Sequence, residues 1–501
     1  MSALIARTDL SLHADPARVL ARLFVPGNEL FTDLESRVTG VLGRVLALPE
    51  AAVAELLADV RARFAGRHRD LDSVLADHYE QIVHRIPPRY VLSPQRRLLV
   101  GAWFTNEYSI EAAALFNPSA VAHPDQSGLA AGELRFVLSL RAVGEGHRSS
   151  IEFRTGVLGS GGAVRLDPPG PHVEQGRIRP AVHDRGLYAA RLVEEGADDE
   201  STRFLLSRLP ARFVADDLND ALAELHGQLL TRPGSNRTDS MARHLLSCGY
   251  DVEFPAGSAL CQRVLWPHGS SEHVGMEDAR FVRFSDDDGS VRYLATYTAF
   301  DGTHVVPQRI ETTDFRTFSI SQLAGPAAKN KGLALFPRTV SGRHLAISRW
   351  DRESCSLATS VDGFVWEDAG ILYRPTLPWE LIQTGNCGSP IETDAGWLVF
   401  THGVGAMREY AIGAPLLDRD DPAVILGVLR DPLLRPDEQE REGYVPNVVY
   451  SCGGLLHGDQ LLLPYGAGDS HVSFGVVDVP ALLARLLADG PLDAIDANSA
   501  A

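Results

Sequence analysis

Two groups of residues carry chemistry by their types and spacing. The first is Gly275-Met276-Glu277-Asp278-Ala279-Arg280-Phe281. Adjacent residues on an extended chain point to opposite sides, so one of Glu277 and Asp278 faces a central pocket while the other braces the scaffold. Arg280 shares the face of Asp278, to pair with it or with a ligand hydroxyl. A bare Glu-Asp-x-Arg string is met more often as a structural ion pair; its position at the start of a repeat favours a site. The second group is basic and aromatic. Lys331 and Arg349 bracket Leu335-Phe336-Pro337, Gln383 precedes Gly385-Asn386-Cys387-Gly388-Ser389-Pro390, His402 sits in Thr401-His402-Gly403-Val404, and Arg408 and Tyr410 follow. Lys331, Arg349, His402 and Tyr410 are donors suited to an oxyanion. They serve one if the fold brings them together; otherwise each is a solvated or loop-bracing residue.

Other signatures are missing. There is no HExxH, no Walker A and no GxSxG, and the 17 histidines show no metal-ligand spacing, so no metal is expected. Gly159-Ser160-Gly161-Gly162 reads as a hairpin rather than a phosphate loop.

The elements that must position these residues fall into two textures. Residues 1–100 read as a helical domain. Thr32-Asp33-Leu34-Glu35 fits a capping box, and Leu34, Val38, Val41, Leu42 and Val45 recur at helical spacing. Pro49 opens a second helix whose apolar face holds Val53, Leu56, Leu57, Val60 and Phe64. A third covers Leu71 to Ile82. From about residue 100 short apolar stretches alternate with Gly, Asp and Asn turns, and Val291, Tyr293, Ala295 and Tyr297 alternate as in a half-buried strand. Phe116-Asn117-Pro118, Asp278, Phe336-Pro337, Ser389-Pro390 and Val445-Pro446-Asn447 each precede an apolar strand and a turn. Pro337 follows Asp278 by 59 residues, Pro390 follows Pro337 by 53, and Pro446 follows Pro390 by 56. Such a period suits a four-stranded propeller blade with its loops. The longer interval between Asn117 and Asp278 holds a helical insertion at about 165–245, with helices at Asp217–His226 and Ser240–Leu246 and a polar Arg232-to-Asp239 loop between them. The expected fold is mainly β: a five-bladed β-propeller over 101–490, its innermost strands converging on one pocket. Pro480 opens a last helix with Leu482, Leu483, Leu486 and Leu487, and 491–501 is a tail.

Composition narrows the partners. The chain has 501 residues, 45% hydrophobic and 22% charged, which excludes disorder, collagen and coiled coil as dominant states. Its 47 Lys plus Arg face 65 Asp plus Glu, a formal charge of -18. That field repels nucleic acid and anionic membranes, so neither is expected as a partner, and any bound anion must meet a local cluster of cations. Five cysteines without a CxxC pair point to reduced thiols and a cytoplasmic location. Met1 to Asp15 shows no signal peptide, and no apolar run is long enough to span a membrane.

Taken together, the strings resemble glycoside hydrolase family 130, the β-mannoside phosphorylases and β-mannosidases, which share a five-bladed propeller. The resemblance runs from about 250 to 480 through Gly275 to Phe281, Thr296-Tyr297-Thr298-Ala299-Phe300-Asp301-Gly302, Leu335-Phe336-Pro337, Gly396-Trp397-Leu398 with Thr401 to Val404, Leu416-Leu417-Asp418, Pro446-Asn447-Val448-Val449 and Pro464-Tyr465-Gly466-Ala467-Gly468-Asp469. It implies Asp278 as general acid, a phosphate held by Lys331, Arg349, His402 and Tyr410, and sugar contacts from Asn117, Arg141 and Asp469, with Glu277, Arg280 and Gln383 beside them. Gln383 stands where many of the family's phosphorylases have lysine, and Ala279 where a proline is common. The implied activity is inverting phosphorolysis of a β-mannoside oligosaccharide or glycoconjugate, with inorganic phosphate as co-substrate, no cofactor, and mannose 1-phosphate as product. The alternative is an inverting β-mannosidase whose water is activated by Glu392 or Glu409; a third is a non-catalytic carbohydrate-binding protein. The N-terminal helices are expected to pack the chain or to join copies of it into a homo-oligomer.

Overall fold

The computed structural model describes residues 4–26, 34–228 and 235–492, without the side chains of 34–36 and 228. The capping box proposed at Thr32 to Glu35, residues 232–234 of the proposed polar loop and most of the 491–501 tail lie outside the described residues. The chain divides into two compact units, one of 15–112 with 170–174 and one of 1–14, 113–169 and 175–501.

The smaller unit is helical because its apolar residues recur on one face. Helices Leu34–Leu46, Glu50–Phe64, Leu71–Ile82 and Pro94–Trp103 bury Val38, Leu42, Val53, Leu57, Leu75 and Leu99 in one core. Buried Arg96 donates to the carbonyls of Val45 at 2.8 Å and Leu48 at 2.6 Å, satisfying the end of the first helix that its own ladder leaves open. An antiparallel pair of strands, Val19–Leu23 with Thr105–Ser109, completes the unit.

The larger unit is mainly β. Antiparallel strands follow the chain in order: Ala114–Ala122, Leu134–Val143 and Ser149–Leu158; then Gly275–Ser285, Val291–Phe300, Val305–Thr312 and Thr317–Gln322; then Ala334–Leu335, His344–Ser348, Cys355–Ser360 and Glu367–Tyr373. Two short sheets between Gln383 and Val428 come next, and the last group is Val449–Tyr450, Gln460–Ala467 and His471–Asp478. Ile5–Leu12 pairs antiparallel with His471–Asp478, so the first strand belongs to the β unit and not with the helices expected over 1–100. Its residues alternate only from Asp9 to Leu12, too short a signal to stand out before the helical texture that follows. Strand Val291–Phe300 is buried on both faces from Tyr293 to Ala299 rather than on one, because strands flank it on both sides and neighbouring layers cover both faces. Gly159 to Gly162 turns Ser149–Leu158 back onto Val164–Leu166.

The insertion contains helices Arg185–Glu194, Glu200–Arg208, Ala215–Gln228 and Ser235–Ser247 around their own core of Tyr188, Leu192, Leu205, Leu222 and Leu245. The first two were not read from sequence. Their signals are Asp184 and Asp199, whose side chains cap Leu187 and Thr202, and each helix is short. The fourth begins at Ser235, so the segment expected as loop up to Asp239 is partly helical. Strands Arg177–Pro180 and Tyr250–Glu253 extend the sheet beyond Thr317–Gln322. The final helix, Val479–Asp489, is capped by Asp478 and buries Leu482 and Leu486. Among the described residues no helix is long and apolar enough to cross a membrane.

Fully buried Glu272 anchors the approach to strand Gly275–Ser285. Its carboxylate accepts from the hydroxyls of Tyr250 and Tyr297 and from the backbone amides of His268 and Gly269. A buried donor left without an acceptor costs roughly 1–3 kcal/mol. Glu272→Leu is therefore expected to destabilise the fold by about 3 kcal/mol or more and to lower Tm by several degrees in a thermal melt; an unchanged Tm contradicts this account of the anchor.

Candidate active site

The site begins with two irregular strands. The pairing of Gly275–Ser285 with its neighbour slips between Glu277 and Arg280, and Asp278 has φ 56. The pairing of Ala114–Ala122 slips between Phe116 and Ser119, and Asn117 has φ 49. Bulges re-aim side chains, and Asp and Asn tolerate the left-handed region better than most residues. The consequence corrects the expected alternation: Glu277 and Asp278 meet the same arginine. Arg141 donates from Nη2 to Glu277 Oε1 at 2.7 Å and from Nη1 to Asp278 Oδ1 at 3.3 Å. Asn117 Nδ2 donates to the same Asp278 oxygen at 2.7 Å, and Lys331 Nζ donates to Glu277 Oε2 at 2.5 Å. Arg141 is itself held by its Nε bond to Ser149 Oγ at 3.0 Å.

Arg280 has a different place from the one expected. It is 1% exposed and donates to the carbonyls of Cys387 and Asp278 and to the Tyr450 hydroxyl, at 2.9, 2.8 and 2.7 Å. It ties three inner segments together, and these bonds go to backbone and a tyrosine, not to the Asp278 carboxylate.

Burial pushes Asp278 up, but Arg141, Lys331, Arg280 and the Asn117 bond outweigh it and hold the carboxyl down at about 2. Asp469 moves the other way. Burial and the charge of Asp278 raise it to about 6 against the pull of Arg141, Arg408 and Lys331. Arg408, whose field reaches Asp469, was noted from sequence beside Tyr410 but not chosen as a site residue.

A group whose folded pKa is raised contributes stability below its unfolded value and loses it as pH rises through the folded value. For Asp469 that window runs from 3.8 to about 6. Asp469→Asn keeps the shape, suits the residue's φ of 48 and carries no such titration. Its Tm is expected to exceed that of the wild type at pH 7.5 and to match it near pH 4. A Tm below wild type at pH 7.5 contradicts the assignment.

Beside the carboxylates lies a group of buried polar atoms that meet no hydrogen-bond partner of good geometry among the described residues: Arg349 Nε, both amide atoms of Asn386 and the ring nitrogens of His402, which lie against the Asn386 backbone. Glycine lets these three residues approach. A Cβ on Gly385 would lie 2.3 Å from Arg349 Cδ and Nε and 2.7 Å from His402 Cε1. One on Gly332, which follows Lys331 and has φ +86, would lie 2.9 Å from Arg349 Cδ and 3.4 Å from Asn386 Oδ1. The Tyr410 ring stacks on His402 at 5.9 Å and 15°, and Tyr450 lies 4.8 Å from His402. Burial, Arg349 and Arg280 hold His402 well below its ordinary pKa, so the imidazole is neutral, one nitrogen donating and one accepting. Asn386 was quoted in the sequence motif but not chosen; an asparagine after a glycine reads as a turn, and only its burial without a partner marks it. Gln383 is half-buried on the same short strand, Gln383–Asn386.

Glu392 and Glu409 are not brought to this cluster. Glu392 accepts from Arg338 at 2.6 and 2.9 Å and pairs with Arg419 at 3.0 Å. It lies with Ser285, Pro337 and Arg338 around a separate cleft, and Ser285 is seven residues along the strand from Asp278, roughly 20 Å at about 3.3 Å per residue. Glu409 is turned to Arg435 at 3.1 Å. Both owe their positions to arginines that sequence distance conceals.

Comparison with known proteins gives the family. A family model described as beta-1,4-mannooligosaccharide phosphorylase matches residues 257–486. The chain is 30% identical over 210 residues to a 1,2-beta-oligomannan phosphorylase of Thermoanaerobacter sp. (strain X514), covering 41% of this chain and 69% of that one. It is 29% identical over 218 residues to a beta-1,2-mannobiose phosphorylase of Listeria innocua, covering 42% and 59%. The crystal structure of the Listeria innocua enzyme with beta-1,2-mannobiose aligns over 76% of this chain and 93% of that one, with 20% identity and a TM-score of 0.44. The chain is a carbohydrate-active enzyme. It belongs to glycoside hydrolase family 130.

Proposed function

We propose that the chain is an inverting β-mannoside phosphorylase that transfers a mannosyl group from a manno-oligosaccharide to inorganic phosphate and releases mannose 1-phosphate. The observation that carries this reading is the set of buried atoms on Arg349, His402 and Asn386 that meet no well-placed partner among the described residues, gathered near one carboxylate cluster. Buried donors without partners are costly, and a phosphate in their midst repays that cost with charge-assisted bonds. The relatives named as phosphorylases support the same class.

The scaffold in this reading is a five-bladed propeller. Its support is the meeting of the inner segments: parallel bridges join Ser119 to Gly453, Ser285 to Arg338 and Tyr410 to Val448, and the Cys452 amide donates to the Pro118 carbonyl.

Breaking the glycosidic bond builds positive charge on the anomeric carbon and negative charge on the leaving oxygen. Phosphate attacks the carbon from the face opposite the leaving group and needs no general base. Arg349, Lys331, Tyr410, Asn386 and the donating nitrogen of His402 position it. Asn117, Arg141 and Asp469 hold the mannosyl ring, and Asp278 supplies the proton to the leaving oxygen through a sugar hydroxyl. A general acid must be protonated when it acts. In the free site the cations keep Asp278 ionised; a phosphate beside Lys331 and Arg349 offsets their field and raises the carboxyl toward protonation. Hydrolysis by inversion asks for a second carboxylate about 6.5–9.5 Å from the first, and Glu392 and Glu409 are bound to arginines elsewhere.

Single displacement fixes the product's configuration. Proton NMR of the first-formed product from a β-mannoside is expected to show α-mannose 1-phosphate alone; the β anomer contradicts the mechanism.

A further inference from the structure

Where the insertion meets the outer strands Val305–Thr312 and Thr317–Gln322, the larger unit has a second cleft of about 450 Å³, within the ~300–1,000 Å³ usual for small-molecule sites. One wall is the polar face of those strands. Arg309 stands directly opposite Ser321, and Glu311 opposite Ser319. A second wall is the loop that carries Asp362 and Phe364, and the third is the insertion, with Asp184 and Arg212.

Arg309 carries the unexplained feature. It is 5% exposed, its Nη2 is held by Glu311, its Nη1 donates to the Gly363 carbonyl at 3.4 Å and its guanidinium covers the Phe364 ring at 3.9 Å, while its buried Nε has no hydrogen-bond partner among the described residues. Burial draws its pKa down to about 10 despite Glu311. Its Nε is shut off from the cleft, and Arg309 also borders a small cavity with Phe284, Leu294 and Trp366, so the groups on the cleft surface say what fits it. Two arginines face three carboxylates, so the charges nearly cancel and no ion is favoured. Donors and acceptors are mixed, the Ser319 and Ser321 hydroxyls serve as either, and the Phe364 ring is among the lining groups. A hydroxyl also donates and accepts at once, and sugar rings offer many hydroxyls beside apolar C–H faces.

We propose that this cleft is a second carbohydrate site, which holds a neutral di- or trisaccharide segment apart from Asp278. The wall that closes it belongs to the helical insertion, and its role is to retain a longer chain whose end is processed at the carboxylate cluster. The use of manno-oligosaccharides as the first probe rests on the proposed function; the cleft itself does not.

The test is isothermal titration of the full-length Asp278→Asn protein with β-1,4-mannotriose, β-1,2-mannotriose, cellotriose and maltotriose, with and without Ser319→Trp. Ser319 is exposed, so a tryptophan there fills the cleft without burdening the core; Ser321→Trp is the second variant. The expected result is two sites for at least one sugar, reduced to one by Ser319→Trp. In the Asp278-containing protein the same substitution is expected to raise KM several-fold for a long substrate and to leave turnover of a disaccharide unchanged. Binding at a single site lost on Ser319→Trp supports the cleft and counts against the catalytic reading. A single site insensitive to both tryptophans, or no binding by any of the sugars, overturns the proposal.

Discussion

Asp278→Asn is expected to lower kcat for phosphorolysis by about 10³–10⁴-fold, in the upper part of the range for removing a positioned acid, while phosphate affinity stays within a few-fold of wild type. Asparagine accepts the left-handed conformation at this position and keeps an oxygen for the bond from Asn117, so the loss reads the proton and not the geometry. A second effect must be separated from it. The carboxyl is held at about 2, below its ordinary 3.8. A depressed pKa contributes stability above the unfolded value and loses it as pH falls through the folded one. Asp278→Asn removes that contribution at neutral pH, roughly 2 kcal/mol by the linkage relation, and a modest fall in Tm follows. The fall should vanish toward pH 2. Kinetics well below the variant's Tm then isolate the chemical step; full activity in the folded variant removes Asp278 from the reaction.

The other large effect is at Arg349. Arg349→Met keeps an unbranched stem against Gly332 and Gly385 and removes the guanidinium. A charge-assisted hydrogen bond contributes about 1.5–3 kcal/mol, so KM for phosphate is expected to rise about 10- to 100-fold with a much smaller change in KM for the mannoside. The same variant should bind inorganic phosphate more weakly by the same factor in titration without sugar. His402 gains from the change: with Arg349 gone, one of the charges that keep its imidazole neutral is removed. An unchanged KM for phosphate places the anion elsewhere and dissolves the central role given to the unpaired donors.

Residue type and spacing made much of this legible. The helical faces of Glu50–Phe64 and Leu71–Ile82 follow from apolar periodicity, and Lys331, close to one repeat start, does reach the carboxylate pair of another, whereas Arg141 lies at no repeat start and was named only through the family resemblance. What was hidden is physical in each case. Alternation along a strand assumes a regular pleat, and the slip at Asp278 turns Glu277 and Asp278 to one arginine. An arginine two residues from an acid looks like its partner, but Arg280 spends its donors on backbone carbonyls and a tyrosine. Ion-pair partners far apart in sequence, such as Arg338 with Glu392, leave no local trace. Ile5–Leu12 pairs with a strand more than 450 residues away, and no local pattern reports that.

The central claim is that phosphate, held by donors the protein leaves unpaired, is the nucleophile. The measurement that tests it most directly is incubation of the purified chain with β-1,2- and β-1,4-manno-oligosaccharides, with and without inorganic phosphate, quantifying mannose 1-phosphate and free mannose together. The account predicts mannose 1-phosphate in step with phosphate consumed and no sugar release when phosphate is left out. Free mannose formed at the same rate in both reactions would contradict it.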